Sequence, residues 1–260
     1  MYDLHAHILP GVDDGANTPE DTLEMARAGA KDGTRVILAT PHRRDITENW
    51  SVTHVREQVA EANQRIEAAG LDITMRLGME NHLDVDLPEE VEQGRALSMA
   101  GSRYILVELP FFGRPNYVED VLFQVQSQGL TPVLAHPERL EVFHAEPEML
   151  VTLVERGMLT QVTAGSLLGY FGKNVRRFTE ALFRQGLVHI LASDTHFPGG
   201  PRSPKLTPGV GAASKIVGQE LARNMVVATP KAVLDDLPID VQSPGPWEAS
   251  SSWWQFWQRQ

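Results

Sequence analysis

The chain has 260 residues, enough for one large domain or two small ones, and 42% of them are hydrophobic, which supports a sizeable core. A net charge of −11 argues against nucleic acid or an anionic membrane as partner, because a phosphate-rich surface calls for a basic face. The absence of cysteine removes disulfides, thiolate metal sites and any cysteine nucleophile.

Taken in chain order, short apolar runs predict strands over Tyr2–His7, Val36–Thr40, Ile73–Met79, Tyr104–Leu109, Pro132–Ala135, Leu159–Thr163 and Val188–Ser193. Helical patterns lie between most of them. Thr18-Pro19-Glu20-Asp21 is a helix start, with an N-cap, proline at the first helical position and acids in the first turn. Ser51 and Pro115 open others. Gly33, Gly70, Gly129, Gly157 and Gly186 each end a helix shortly before the next strand. Repeated helix–glycine–strand units imply an α/β fold with a parallel sheet, and seven strands suit a closed (β/α)7 barrel better than an open sheet. Lys215–Arg223 and Thr229–Asp235 read as further helices. The first 240 residues form the expected domain. Residues 241–260 are expected to be a flexible Pro/Ser linker, Ser243-Pro244-Gly245-Pro246, and an aromatic tail around Trp253-Trp254-Gln255-Phe256-Trp257. The N-terminus lacks the basic-then-apolar pattern of a secretion signal, and no run of about 18 apolar residues exists. These features predict a cytoplasmic protein without a transmembrane segment.

The predicted strand ends carry the chemistry. The first ends at His5 and His7, which point to one face of a strand at i and i+2. The second ends in Thr40-Pro41-His42, the third in Gly78-Met79-Glu80, the fourth in Val107-Glu108, the fifth in Ala135-His136, and the seventh in Ser193-Asp194-Thr195-His196. Five of the nine histidines and three acids thus fall at one rim. Charged groups directly after apolar runs are costly unless paired or metal-bound. Asp13-Asp14-Gly15 adds two acids, one of which is expected to be a ligand. So many ligands exceed one ion's needs and predict two or three, of zinc, manganese or iron type, since no thiolate is present. His54, His82, His144 and His189 have no such placement, and His82 is notable only for lying two residues from Glu80. Arg43, Arg139 and Arg202 follow ligand-bearing strands and suit bidentate recognition of phosphate. Gly209-Val210-Gly211-Ala212-Ala213 echoes a dinucleotide loop but follows no strand.

The order of these motifs resembles the polymerase and histidinol phosphatase (PHP) superfamily. More closely, His5–Gly15, Ala39-Thr40-Pro41-His42, Ala135-His136-Pro137-Glu138-Arg139 and Ala192-Ser193-Asp194-Thr195-His196 are similar to the bacterial metal-dependent protein tyrosine phosphatases of capsule and exopolysaccharide operons. The resemblance runs from residue 1 to about residue 237. It implies a distorted seven-stranded barrel of the PHP type with its active site at the carboxyl ends of the strands, and three metals, often manganese. By position, His5, His7, Glu80 and Asp194 would hold the first metal, Glu80, Glu108 and His136 the second, and Asp14, His42 and His196 the third. Arg139 and Arg202 match the family's phosphate-binding arginines. The implied reaction is hydrolysis of protein phosphotyrosine by a metal-bound hydroxide. The implied partner is the tyrosine-rich tail of a membrane-associated autokinase that regulates polysaccharide export.

Two other readings use the same residues. One is a small-molecule phosphomonoesterase of the histidinol-phosphatase type, since the loops that choose substrate are not legible. The other is a catalytically silent regulatory module, which the intact ligand set disfavours.

Overall fold

The computed structural model describes residues 1–248, and the Trp-rich stretch Trp253–Trp257 lies outside the described residues. Eight strands form: β1 (Tyr2–Ala6), β2 (Val36–Ala39), β3 (Thr74–Leu77), β4 (Glu80–His82), β5 (Tyr104–Glu108), β6 (Thr131–Ala135), β7 (Leu159–Thr163) and β8 (Ile190–Ala192). All paired neighbours are parallel, in the orders β1-β2-β3 and β4-β5-β6-β7-β8.

The two sheets close on each other. Between β8 and β1, Ala6 bridges Thr195, His7 N–H donates to the Thr195 carbonyl at 2.9 Å, and Asp194 N–H donates to the His5 carbonyl at 3.0 Å. On the other side, His42 bridges Glu80, whose N–H donates to the Pro41 carbonyl at 3.1 Å. The result is the expected distorted seven-position barrel, with one departure. The single strand predicted over Ile73–Met79 is two pieces: β3 runs beside β2, and β4 then runs beside β5. The ladder between β2 and β3 ends where Pro41 follows, a residue with no N–H to donate.

Local sequence explains the helices. The helix Pro19–Asp32 begins with a full capping box between Thr18 and Asp21. Ser51 caps Val52–Ala68 by accepting from His54 N–H. The five glycines expected at helix ends all have positive φ, as at Gly33 (95°). The helix predicted over Lys215–Arg223 is instead two, Thr207–Val217 and Gln219–Asn224, broken at Gly218, where φ is 87°. The dinucleotide-like glycines fall inside the first of these helices. Pro115 does not itself open a helix: the next one spans Val118–Ser127.

Apolar residues fill both sides of the strands. Leu4, Leu38, Leu106, Val133, Leu159 and Ile190 meet inside the barrel, while Ile105, Val107, Leu134 and Val162 pack outward against helices. Residues 241–248 lie against this body: Gln185 donates to the Pro244 and Pro246 carbonyls, and the Trp247 ring lies 5.9 Å from that of Phe178.

At the amino end of β8, His189 Nδ1 accepts the Thr160 N–H at 3.1 Å, and burial pushes its pKa from 6.5 down to about 4. On acidification the unfolded chain therefore takes up this proton first. The His189 contribution to stability is flat above pH 6.5 and is lost as pH falls toward 4. His189→Asn keeps an acceptor and removes the titration. Denaturant unfolding over a pH series should give a slope of stability against pH that is shallower in that window by up to about one proton. An unchanged slope would reject this origin.

Candidate metal centre

Glu80 is the first residue of β4 and is 1% exposed. Four imidazoles from three other strand ends surround its carboxylate. His5 Nε2 lies at 3.2 Å, His7 Nε2 at 3.3 Å, His42 Nδ1 at 3.0 Å and His136 Nε2 at 3.0 Å. Glu108, at the end of β5, stands 3.3 Å from His136 Nε2. The far nitrogens of the first two rings are held from behind: His5 Nδ1 pairs with Gln161 Oε1 on β7 at 2.6 Å, and His7 Nδ1 pairs with Asp13 Oδ2 at 2.8 Å. An Nδ1–H directed to these oxygens leaves the Nε2 lone pairs aimed at the centre, the usual arrangement behind a metal-ligating histidine.

The loop after β1 separates the two acids that the sequence could not. Asp13 turns back to His7 and also accepts from the Gly15 and His42 backbone N–H groups. Asp14 turns outward. Its Oδ1 lies 3.1 Å from His196 Nε2 and 3.5 Å from His42 Nε2. Gly15 permits this turn, because a Cβ at that position would stand 2.0 Å from the His7 carbonyl oxygen.

Asp194 and His136 both adopt left-handed backbone, with φ of 51° and 32°, which is costly for residues with side chains and is found where a site dictates the conformation. Asp194 Oδ1 lies 3.7 Å from His5 Nε2 and 3.6 Å from His7 Nε2. Its two oxygens also meet two arginines, Arg139 Nη1 at 2.6 Å and Arg202 Nη2 at 2.9 Å. Arg202 reaches it because the His196 and Phe197 N–H groups both donate to the Arg202 carbonyl and fold the loop back. Arg43 is not brought to this cleft. Its guanidinium is buried beside Asp84, at 2.7 Å, and Glu90, at 3.7 Å, so the expectation that it faces phosphate is not met. The other four histidines also stay outside. His82 pairs with Arg43, Arg44 and Asp84, His54 stacks on Trp50, His144 Nε2 meets the Glu138 carbonyl, and His189 sits at the opposite barrel end.

The donor chemistry fits divalent metal ions. Imidazole nitrogens and carboxylate oxygens both present lone pairs, and packing them inward at about 3 Å requires cations between them. In the chain alone that cation is a proton. Burial opposes protonation of His7, but Asp13 and Glu80 push its pKa up to about 9. Asp14 and Glu80 likewise outweigh burial at His42, raising it to about 11, and Glu108 and Glu80 raise His136 to about 10. Against the same burial, the surrounding histidines hold Glu80 well below the usual carboxylate range, and His5 and Arg202 do so for Asp194. Three groups of ligand atoms converge within 4.8 Å: His7, Asp14, His42 and His196; His5, His7 and Glu80; and His42, Glu80 and Glu108.

Residues 1–235 match the family model described as capsular polysaccharide synthesis, CpsB/CapC. The chain belongs to the CpsB/CapC family. It is 38% identical over 196 residues to the tyrosine-protein phosphatase YwqE of Bacillus subtilis, covering 75% of this chain and 77% of that protein. It is 25% identical over 245 residues to the tyrosine-protein phosphatase CpsB of Streptococcus pneumoniae, covering 91% and 99%. Among solved structures, one from a study of YwqE and CpsB as metal-dependent tyrosine phosphatases superposes with a TM-score of 0.88 at 34% identity, covering 96% of this chain and all of that one.

In this CpsB/CapC protein several site residues are not evident from strand ends. Gln161 is one, although a glutamine inside the run Leu159-Thr160-Gln161-Val162-Thr163 was a usable signal. Glu138 is another: fully buried, its Oε1 accepts from Thr163 N–H at 2.9 Å and Ser166 Oγ at 2.7 Å, pinning the loop that carries Arg139 to β7. Asp14→Asn should lower the number of metal ions bound per chain by one. Asp13→Asn should keep the number and weaken affinity by about 10- to 100-fold, as for other partners behind a ligand. Metal analysis across a range of free metal concentrations checks both, and equal effects of the two substitutions would contradict the assignment.

Proposed function

We propose that this chain is a metal-dependent protein-tyrosine phosphatase of the phosphoric monoester hydrolase class. The observation that carries the reading is the meeting of Arg139 and Arg202 on Asp194 at the edge of the histidine–carboxylate cluster. Guanidinium groups beside a cationic centre make one positive spot on an acidic protein, which is what a phosphate dianion needs. Membership of the CpsB/CapC family, and relatives named tyrosine-protein phosphatases, support the same activity.

His5, His7, Asp14, His42, Glu80, Glu108, His136, Asp194 and His196 would hold two or three divalent ions, with manganese preferred and zinc or iron compatible. When bound, these ions supply Lewis-acid charge that lowers the pKa of a water, making hydroxide available near neutral pH. The protein's own groups do the rest. Arg139 and Arg202 bind and orient the phosphoryl oxygens and offset charge as it grows in the transition state. Asp13 and Gln161 hold the imidazole orientation, and Glu138 fixes the Arg139 loop. Without cysteine the chain cannot form a phosphocysteine intermediate, and the route proposed is direct attack by water.

The proposed substrate is the phosphotyrosine tail of a membrane-associated autokinase that regulates polysaccharide export, met in the cytoplasm. No helix of the described residues is long and apolar enough to cross a membrane. A phosphotyrosine peptide should be hydrolysed with higher kcat/KM than histidinol phosphate. Chelation should abolish the activity, and Arg139→Gln should lower kcat/KM by roughly 100-fold or more, as loss of a transition-state charge partner does. A preference for histidinol phosphate would replace this reading with that of a small-molecule phosphatase.

A further inference from the structure

Phe111 lines the cleft beside His136 and Arg139. Its ring stacks on that of His136, with centroids 5.5 Å apart and planes 22° apart. The Arg139 guanidinium carbon lies 5.0 Å from the centre of the Phe111 ring and 4.5 Å from that of Phe171. The proposed phosphate-binding arginine is therefore flanked by two aromatic rings from different loops, one after β5 and one after β7. Both rings are only partly buried. Their chain neighbours Phe112 and Tyr170 are 84% and 51% exposed, and Phe197, next to His196, is 48% exposed. Exposed aromatic side chains gathered on the loops of one barrel end, beside a polar cleft, are a feature of a binding site rather than of general surface.

We propose that Phe111 and Phe171, both packed on Arg139, form an aromatic slot whose cleft-lining ring, Phe111, selects aryl over alkyl phosphomonoesters, a specificity that rests on the phosphatase reading above. In a tyrosyl phosphate a single bridging oxygen separates phosphorus from the ring. A phosphoryl group held by Arg139 therefore brings its aryl group within reach of the Phe111 ring, which lines the cleft, while Phe171 packs on the same guanidinium. A partly exposed ring there favours an offset or edge-on aromatic partner over a flexible alkyl chain. The same contacts hold the guanidinium by cation–π attraction, so the slot positions Arg139 and reads the leaving group together.

The test uses the full chain loaded with manganese. By calorimetry, phenylphosphonate should bind about tenfold more tightly than methylphosphonate, the worth of an aromatic contact with its buried area. In Phe111→Leu and Phe171→Leu that ratio should fall toward one, and kcat/KM should fall further for phenyl phosphate than for glycerol phosphate. Phe171→Tyr should restore both ratios. A merely structural role for the rings would lower both substrates and both ligands equally. Equal binding of the two phosphonates by the unsubstituted protein, or an unchanged ratio in both leucine variants, overturns the slot. Failure to hydrolyse a phosphotyrosine peptide, with the phosphonate preference intact, would instead overturn the phosphatase reading and leave the slot standing.

Discussion

The buried carboxylate of Glu80 is the contact on which the site depends. It meets His5, His7, His42 and His136, side chains that enter from β1, the end of β2 and the end of β6. An ionised acid buried to this degree is sustained only by cationic partners, and removing either side leaves the other exposed to the full desolvation penalty. The histidines and Glu80 therefore constrain one another, and through them the strand ends that carry them. The barrel is closed at that same level, by the bridge from His42 to Glu80 on one side and the bridge from Ala6 to Thr195 on the other.

Glu80 stands just after the break between β3 and β4. Pro41 has no N–H to donate and interrupts the regular ladder with β2, yet its carbonyl and the bridge from His42 still hold Glu80 on that side while β4 pairs with β5 on the other. Comparable compromises appear at His136 and Asp194, which hold left-handed backbone in the tightest part of the cluster. Strain of this kind persists where surrounding contacts over-determine it. At His136 the surrounding contacts are Glu80, Glu108 and the Phe111 ring. At Asp194 they are two arginines and the backbone bond to His5. The apolar packing behind the strands, from Leu4 to Ile190, is conventional, and it supplies the rigidity that lets the rim depart from ideal geometry.

Much of this was legible along the chain. Strand Leu159–Thr163 falls at its predicted limits, and most of the others agree within one or two residues. Period and composition report local backbone preference faithfully when an element is buried on both faces. The helix starts at Thr18 and Ser51 were legible because capping is local chemistry. What was not legible depended on partners distant in sequence. Arg43 adjoins a site histidine in the chain, yet Asp84 and Glu90 draw its guanidinium elsewhere. The split of the third strand depends on what β2 can still donate. The separate roles of Asp13 and Asp14 follow from a turn that packs Gly15 directly on the His7 backbone.

The sequence by itself determined which residue types stand at the ends of the strands, and hence that one rim would gather imidazoles and carboxylates without thiolate. That follows from local periodicity and from the parallel βα order, which sends every strand's carboxyl end to the same side. Only the tertiary structure decided how those residues divide their work. It placed Glu80 at the centre, turned Asp13 back and Asp14 out, joined Arg139 and Arg202 at Asp194, and set Phe111 and Phe171 beside Arg139. Those assignments rest on distances of a few ångströms between residues from a few to nearly two hundred positions apart, and charge pairing and close packing act on distance in space, whatever the separation along the chain.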